Sequence, residues 1–339
     1  MMMSNIIKII SWISVFILIL SCSDGEAIPS FPSEGVLKLT KIEEVIDKGD
    51  QNIINLLNMV RGSVGTRGYG SKTIWSRKND HGLGLYISAN HVYGIDGWSS
   101  RQSDFFDVKT ENIGIFEGSQ IPPVSGEFDM GNSLYADYPL LHFEIATNAT
   151  NSTINPSEDF YLGIVDNQRV EQKTFPQYPS AVNTLVPLEM YDPLNRTISM
   201  QTWDVPEVNS IAMLIGYPQD KVQYPNGAVT MGIILSETDA VRVIEELKLV
   251  GDPEGNIAYN NEVEFLVHAR AIAGMSGGGV FNESGQLLGI MVRASTSGKA
   301  KGVVRVVRLE FIRSKVIEFY NTLSNIDKEK LEPFLSGEI

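Results

Sequence analysis

Along LTKIEEVIDKGDQNIINLLNMV, the apolar positions Ile42, Val45, Ile46, Ile53, Ile54, Leu56 and Leu57 fall mostly at three- and four-residue steps. That spacing predicts one or two amphipathic helices, with a threonine available as N-cap and a break at Gly49. The texture then changes. Short apolar or alternating runs follow to about residue 310: LGLYISA, NIGIFEG, PLLHFEI, FYLGIV, IAMLIGY, VTMGIIL, EVEFLVHA, LLGIMV and GVVRVV. Gly, Asn, Asp, Pro and Ser separate them, which predicts an all-β sandwich or barrel. Residues 237–261 interrupt this pattern with a helix-capable start and a polar DPEG turn, and read as an insertion. The polar DNQRVEQKTFPQYPSAVN stretch, with two prolines, predicts a linker between two β units over residues 166–185. LEFIRSKVIEFYNTL places Phe311, Ile312, Val316, Ile317, Phe319 and Tyr320 mainly on one face and predicts a C-terminal helix.

Composition narrows this picture. With 339 residues, 43% hydrophobic and 20% charged, the chain can bury a real core in one large or two modest domains. Its 27 Lys+Arg against 41 Asp+Glu give a net charge of -14, which repels a phosphate backbone and argues against nucleic acid as a partner.

The first residues have a pattern of their own. Lys8 precedes the apolar run IISWISVFILIL, and small residues follow, the three-part arrangement of a secretory signal over residues 1–21. As a helix the twelve-residue run rises only about 18 Å, short of the ~30 Å hydrocarbon core. Cys22 is the single cysteine, so an intramolecular disulfide is impossible. Ile19-Leu20-Ser21-Cys22 resembles a bacterial lipobox, which implies a lipid-anchored mature chain beginning at Cys22 in the bacterial cell envelope, followed by a flexible tether over residues 22–38.

AIAGMSGGGVF, residues 271–281, sets Ser276 among glycines. A nucleophilic serine needs backbone N–H groups aimed where negative charge develops, and Gly274 and Ser276 would donate them. It also needs a general base, usually a histidine oriented by a carboxylate. The four histidines are 81, 91, 142 and 268; His91, in GLYISANHVYG, is delivered at a strand end, yet on type and placement alone each of the four reads equally as a surface or packed histidine. Without cysteine clusters or spaced histidine pairs, neither a metal nor an organic cofactor is expected.

Ser88-Ala89-Asn90-His91-Val92 resembles the strand-end histidine motif of the chymotrypsin/trypsin-like serine protease family, especially its HtrA-like bacterial members. Ala136-Asp137-Tyr138-Pro139-Leu140-Leu141-His142-Phe143 resembles that family's aspartate followed by an apolar strand, with Asp129 as the fallback. Gly274-Met275-Ser276-Gly277-Gly278-Gly279 resembles its nucleophile loop, except that Gly279 stands where proline is common. The resemblance covers about residues 60 to 323. It implies two packed six-stranded antiparallel β-barrels: residues 61–175 with His91 and Asp137, and residues 176–325 with Ser276 and the C-terminal helix. A helical extension (39–60) precedes them and a tail (326–339) follows.

The same resemblance implies a serine endopeptidase acting on peptide or protein substrates. His91 would take the Ser276 proton, Asp137 would orient His91, and Gly274 and Ser276 would form the oxyanion hole. The substrate pocket would be walled by Arg270, Met291, Val292, Arg293 and the strand around Gly302. Two arginines there would favour an acidic side chain, and the plainer reading makes them solvated surface charges. Two rival readings of the chain stand beside the enzyme: a protease-fold lipoprotein that binds without catalysis, and a structural lipoprotein in which GMSGGG is a turn.

Overall fold

A computed structural model describes residues 37–49, 56–57, 59–65, 68–78, 83–93, 137–141, 159–166, 203–220, 222–225, 227–296, 302–322, 324–325 and 328. Cys22, the fallback Asp129, the NIGIFEG run and the expected linker from residue 167 onward lie outside them. A short strand β1 (Thr40–Lys41) leads into helix α1 (Ile42–Lys48), which ends at Gly49 in the left-handed conformation (φ 72°).

A five-stranded antiparallel sheet comes next, built from β2 (Val60–Gly65), β3 (Gly68–Lys78), β4 (Leu83–Ser88), β5 (Asp137–Leu141) and β6 (Tyr161–Asp166). Its order is β2-β3-β4-β6-β5. The one-turn helix α2 (Asn90–Tyr93) follows β4 directly and carries His91. The register pairs Ser88 with Tyr161 at one end of β4 and β6, and Gly84 with Val165 near the other.

The second sheet closes on itself. Strands β7 (Ile211–Gly216), β8 (Ala228–Ile234), β9 (Glu264–His268), β10 (Gly279–Phe281), β11 (Leu287–Ala294) and β12 (Val303–Arg308) run in the order β8-β7-β10-β11-β12-β9, and a β8–β9 pairing completes a six-stranded antiparallel barrel. β1 adds to it as a seventh strand on the edge of β8. Leu214, Phe265, Val267, Val280, Leu288, Val304 and Val306 belong to its core, each side chain contributing about 1.5–3 kcal/mol through burial. All five residues of β9 are buried. One reason is that helix α3 (Glu237–Leu249) packs against that strand, as helix α4 (Leu309–Thr322) does against β11 and β12.

α3 is the helical start of the insertion. Ser236 caps it by accepting the Asp239 N–H at 3.1 Å, and Ala240, Val243, Ile244 and Leu247 turn inward at helical spacing. Gly251 (φ 77°) ends the excursion, and Asp252 starts a 3-10 turn, Pro253–Asn256, by accepting the Glu254 N–H at 2.9 Å.

Candidate active site

The loop that carries Ser276 is stitched to β3 of the other sheet. The Ser71 N–H donates to the Ser276 carbonyl at 2.7 Å, the Ser71 hydroxyl to the Gly274 carbonyl at 2.9 Å, and the Thr73 hydroxyl to the Gly277 carbonyl at 3.1 Å. Ser71 Oγ accepts the Tyr217 N–H at 2.8 Å, and the Ser88 hydroxyl donates to the Ser71 carbonyl at 2.6 Å. A Cβ on Gly277 would land 2.1 Å from the Ser71 carbonyl oxygen, 2.4 Å from Ser88 Oγ and 3.0 Å from the Ala89 nitrogen. Gly277 therefore lies against Ser88 at the end of β4 and against Ala89, three and two residues before His91. Only a bare glycine backbone with positive φ (86° here) permits so close an approach.

His91 is held by a carboxylate the motif reading missed. Asp159, fully buried, accepts the His91 backbone N–H at Oδ1 (2.8 Å) and lies 2.7 Å from the imidazole Nδ1 through Oδ2. That pairing leaves Nε2 as the ring nitrogen open to proton transfer. Burial alone would lower the imidazole pKa, but the adjacent Asp159 charge and hydrogen bond override it, and the net shift is upward from 6.5. Arg293 pulls it down and Glu254 pulls it up, both by charge.

Asp137, expected to orient His91, is placed elsewhere. It opens β5 and pairs with Val165, which in turn pairs with Gly84 of β4. Asp159 instead immediately precedes Phe160 and the Ser88–Tyr161 end of the sheet, where His91 emerges. Val165 is four residues along β6 from Tyr161, about 13 Å at ~3.3 Å per residue. A sequence signal for Asp159 existed: SEDFYLGIV is also an aspartate followed by an apolar strand.

Gly274 sits at φ 95°, and a Cβ there would meet the Gln219 nitrogen at 2.4 Å. Among the described residues, neither its N–H nor that of Ser276 donates a hydrogen bond. The Gly277 N–H donates to the Met291 carbonyl of β11 (2.6 Å), and the Gly278 N–H to the Met275 carbonyl within the loop (2.9 Å). The Ser276 hydroxyl donates to the Val292 carbonyl at 3.3 Å, and among the described residues no hydrogen bond joins it to His91.

The expected pocket residues divide. Met291 and Val292 are buried in β11 beside the loop, whereas Arg270 is exposed. Arg293 Nε donates to both carboxylate oxygens of Glu254, at 2.8 and 3.1 Å. Gly302 (φ 115°) has its open side filled by Leu37 Cδ1 and faced by the His268 imidazole.

Gly279 also acquires a reason. A Cβ there would lie 2.5 Å from Cζ of the buried Phe281 ring and 3.0 Å from Thr73 Cγ2, so the glycine makes room for that phenylalanine.

No protein-family model matches the chain, and no curated protein matches it by sequence. Among solved structures, it is similar to the inactive form of the M. tuberculosis Rv3671c protease, at 11% identity and TM-score 0.39 over 82% of this chain and 96% of that one. The serine endoprotease from Yersinia pestis gives 16% identity and TM-score 0.39, over 80% of this chain and 65% of its own. An inactivated protease paralogue of the scabies mite, S-D1, gives 11% identity and TM-score 0.44, over 79% and 94%.

Proposed function

We propose that this chain is a serine endopeptidase that cleaves peptide or protein substrates through Ser276, His91 and Asp159. The observation that carries this reading is the double grip of Asp159 on His91. A buried carboxylate that fixes both backbone and ring of a histidine, beside a glycine-bounded serine loop, supplies a base oriented for one proton transfer. In this reading His91 Nε2 takes the Ser276 proton as Oγ attacks the substrate carbonyl. The Gly274 and Ser276 N–H groups stabilise the oxyanion. The C–N bond then breaks as His91 returns the proton to the leaving amine, and water hydrolyses the acyl-enzyme by the same steps.

Further features belong to the same proposal. The five-stranded sheet is read as part of a second six-stranded barrel. Met291 and Val292 would wall the substrate side-chain site, with Arg270 at its rim. Cys22 would carry a lipid that anchors the mature chain in the bacterial cell envelope, as the sequence around it suggests. The test is covalent labelling by a fluorophosphonate. Labelling of the wild type, lost in Ser276→Ala and strongly slowed in His91→Ala and Asp159→Asn, supports the proposal, and labelling that survives Ser276→Ala overturns it.

One observation favours a second reading, a binding module without catalysis: the Ser276 hydroxyl turns to Val292 rather than to His91. An unlabelled wild type that still binds peptide would select it.

A further inference from the structure

The insertion between β8 and β9 ends in an arrangement of charges that touches the candidate site. Glu254, on the 3-10 turn, is shared by two arginines. Arg293 of β11 donates to both its carboxylate oxygens (2.8 and 3.1 Å), and Arg305 Nε of β12 lies 3.2 Å from Oε2. Arg305 also donates to the Glu254 carbonyl at 2.9 Å and to Glu264 Oε1 at 2.6 Å. Two residues earlier, Asp252 accepts the Thr296 N–H at 2.8 Å. The turn therefore holds β11 at Arg293 and the segment just after it at Thr296. The residue before Arg293 is Val292, whose carbonyl accepts the Ser276 hydroxyl.

We propose that Glu254 is a positioning residue: through Arg293 it holds β11 in place beside Ser276, and it neutralises the guanidinium where that charge faces His91. This rests on the serine-protease reading above. Held this way, Arg293 is a structural cation more than an anchor for an acidic substrate side chain, because its Nε is already committed to a carboxylate. Among the described residues, the charged groups that act on the His91 imidazole are Asp159, two residues before β6, Arg293 on β11 and Glu254 on the 3-10 turn. Arg293 and Glu254 act on the imidazole in opposite directions, the arginine's effect being the larger, so Glu254 offsets part of the Arg293 charge while both are present.

The test titrates the His91 imidazole by NMR in the full chain and, in parallel, follows the pH profile of fluorophosphonate labelling. Glu254→Gln keeps the side-chain shape and exposes the Arg293 charge. It is expected to move the His91 midpoint downward and, by loosening β11, to reduce the labelling rate at alkaline pH roughly tenfold. Arg293→Met is expected to move the midpoint upward, and the double variant to bring it back below that of Arg293→Met alone. Should Glu254→Gln fail to fold, Glu254→Asp, which keeps the charge but shortens its reach to Arg293, is expected to slow labelling, and an unchanged labelling rate overturns the positioning role. Midpoints that stay put in the variants, whatever happens to thermal stability, would leave Glu254 as a structural residue only and overturn the proposal. A wild type that titrates as expected but is not labelled at Ser276 removes the protease reading instead, so the two failures are told apart.

Discussion

The Asp159 carboxylate holds His91 at two atoms, the backbone nitrogen at 2.8 Å and the ring Nδ1 at 2.7 Å. The first bond fixes where the one-turn helix α2 begins, and the second fixes the tautomer of its histidine. Asp159→Asn is therefore expected to slow fluorophosphonate labelling of Ser276 roughly 100- to 10,000-fold, because an amide can present its N–H to Nδ1 and so favour the wrong tautomer. Asp137→Asn, at the other end of the sheet, is expected to label at close to the wild-type rate. Second-order labelling rates at one pH compare the three proteins directly.

The same pair sets a pH dependence. The net pKa shift of His91 is upward from 6.5, so the neutral imidazole that can act as base accumulates only above that value. Labelling is expected to rise with pH through a midpoint above 6.5, and in Asp159→Asn that midpoint falls. Stability runs the opposite way. A folded-state pKa above the unfolded one gives stabilisation that is fully present below the unfolded pKa and lost as pH rises through the folded value. The melting-temperature gap between wild type and Asp159→Asn should accordingly narrow as pH rises past His91's folded-state midpoint.

How much of this could be read from the chain depends on the residue. Strands β4, β6, β7, β8, β9, β11 and β12 coincide with apolar runs visible in the sequence, because each needs alternating or continuous apolar residues to line a core. His91 and Ser276 stood out because their neighbours are themselves constrained: a strand must end before the first, and glycines must flank the second. Asp159 did not, since the chain contains two aspartates leading into apolar strands, and local pattern treats ADYPLLHF and EDFYLGIV alike. What separates them is register. Tyr161 pairs with Ser88, next to His91, while Asp137 pairs with Val165 toward the opposite end. The Glu254–Arg293 pair was equally invisible, joining residues 39 positions apart through an insertion whose docking no local pattern encodes.

Gly279 is where the packing of the serine loop against Phe281 can be measured. Gly279→Pro would drive new atoms into the Phe281 ring, an overpacking that costs about 1–3 kcal/mol. Phe281→Val combined with Gly279→Pro should recover part of that loss, although Phe281→Val alone is destabilising by leaving a cavity. Denaturant unfolding of the two single variants and the double variant measures the coupling; simple additivity would contradict it.

Arg305 is fully buried and bonds Glu264 and the Glu254 carbonyl. Arg305→Met leaves the Glu264 carboxylate buried without its cation, an expected loss of about 3–5 kcal/mol at neutral pH. Burial already pushes the Glu264 pKa up, and without the arginine it rises further. The variant's deficit should therefore shrink as pH falls and Glu264 takes a proton, which chemical denaturation at pH 5 and pH 7.5 would show.

The central claim is that Ser276 is a nucleophile activated by His91. The most direct measurement is the intact mass of the protein after fluorophosphonate treatment at mildly alkaline pH, with the adduct located by peptide mapping. The expected result is a single adduct on Ser276 in the wild type, absent in Ser276→Ala and slowed at least 100-fold in His91→Ala. A wild type that gains no mass, or an adduct that forms equally well in His91→Ala, would contradict it.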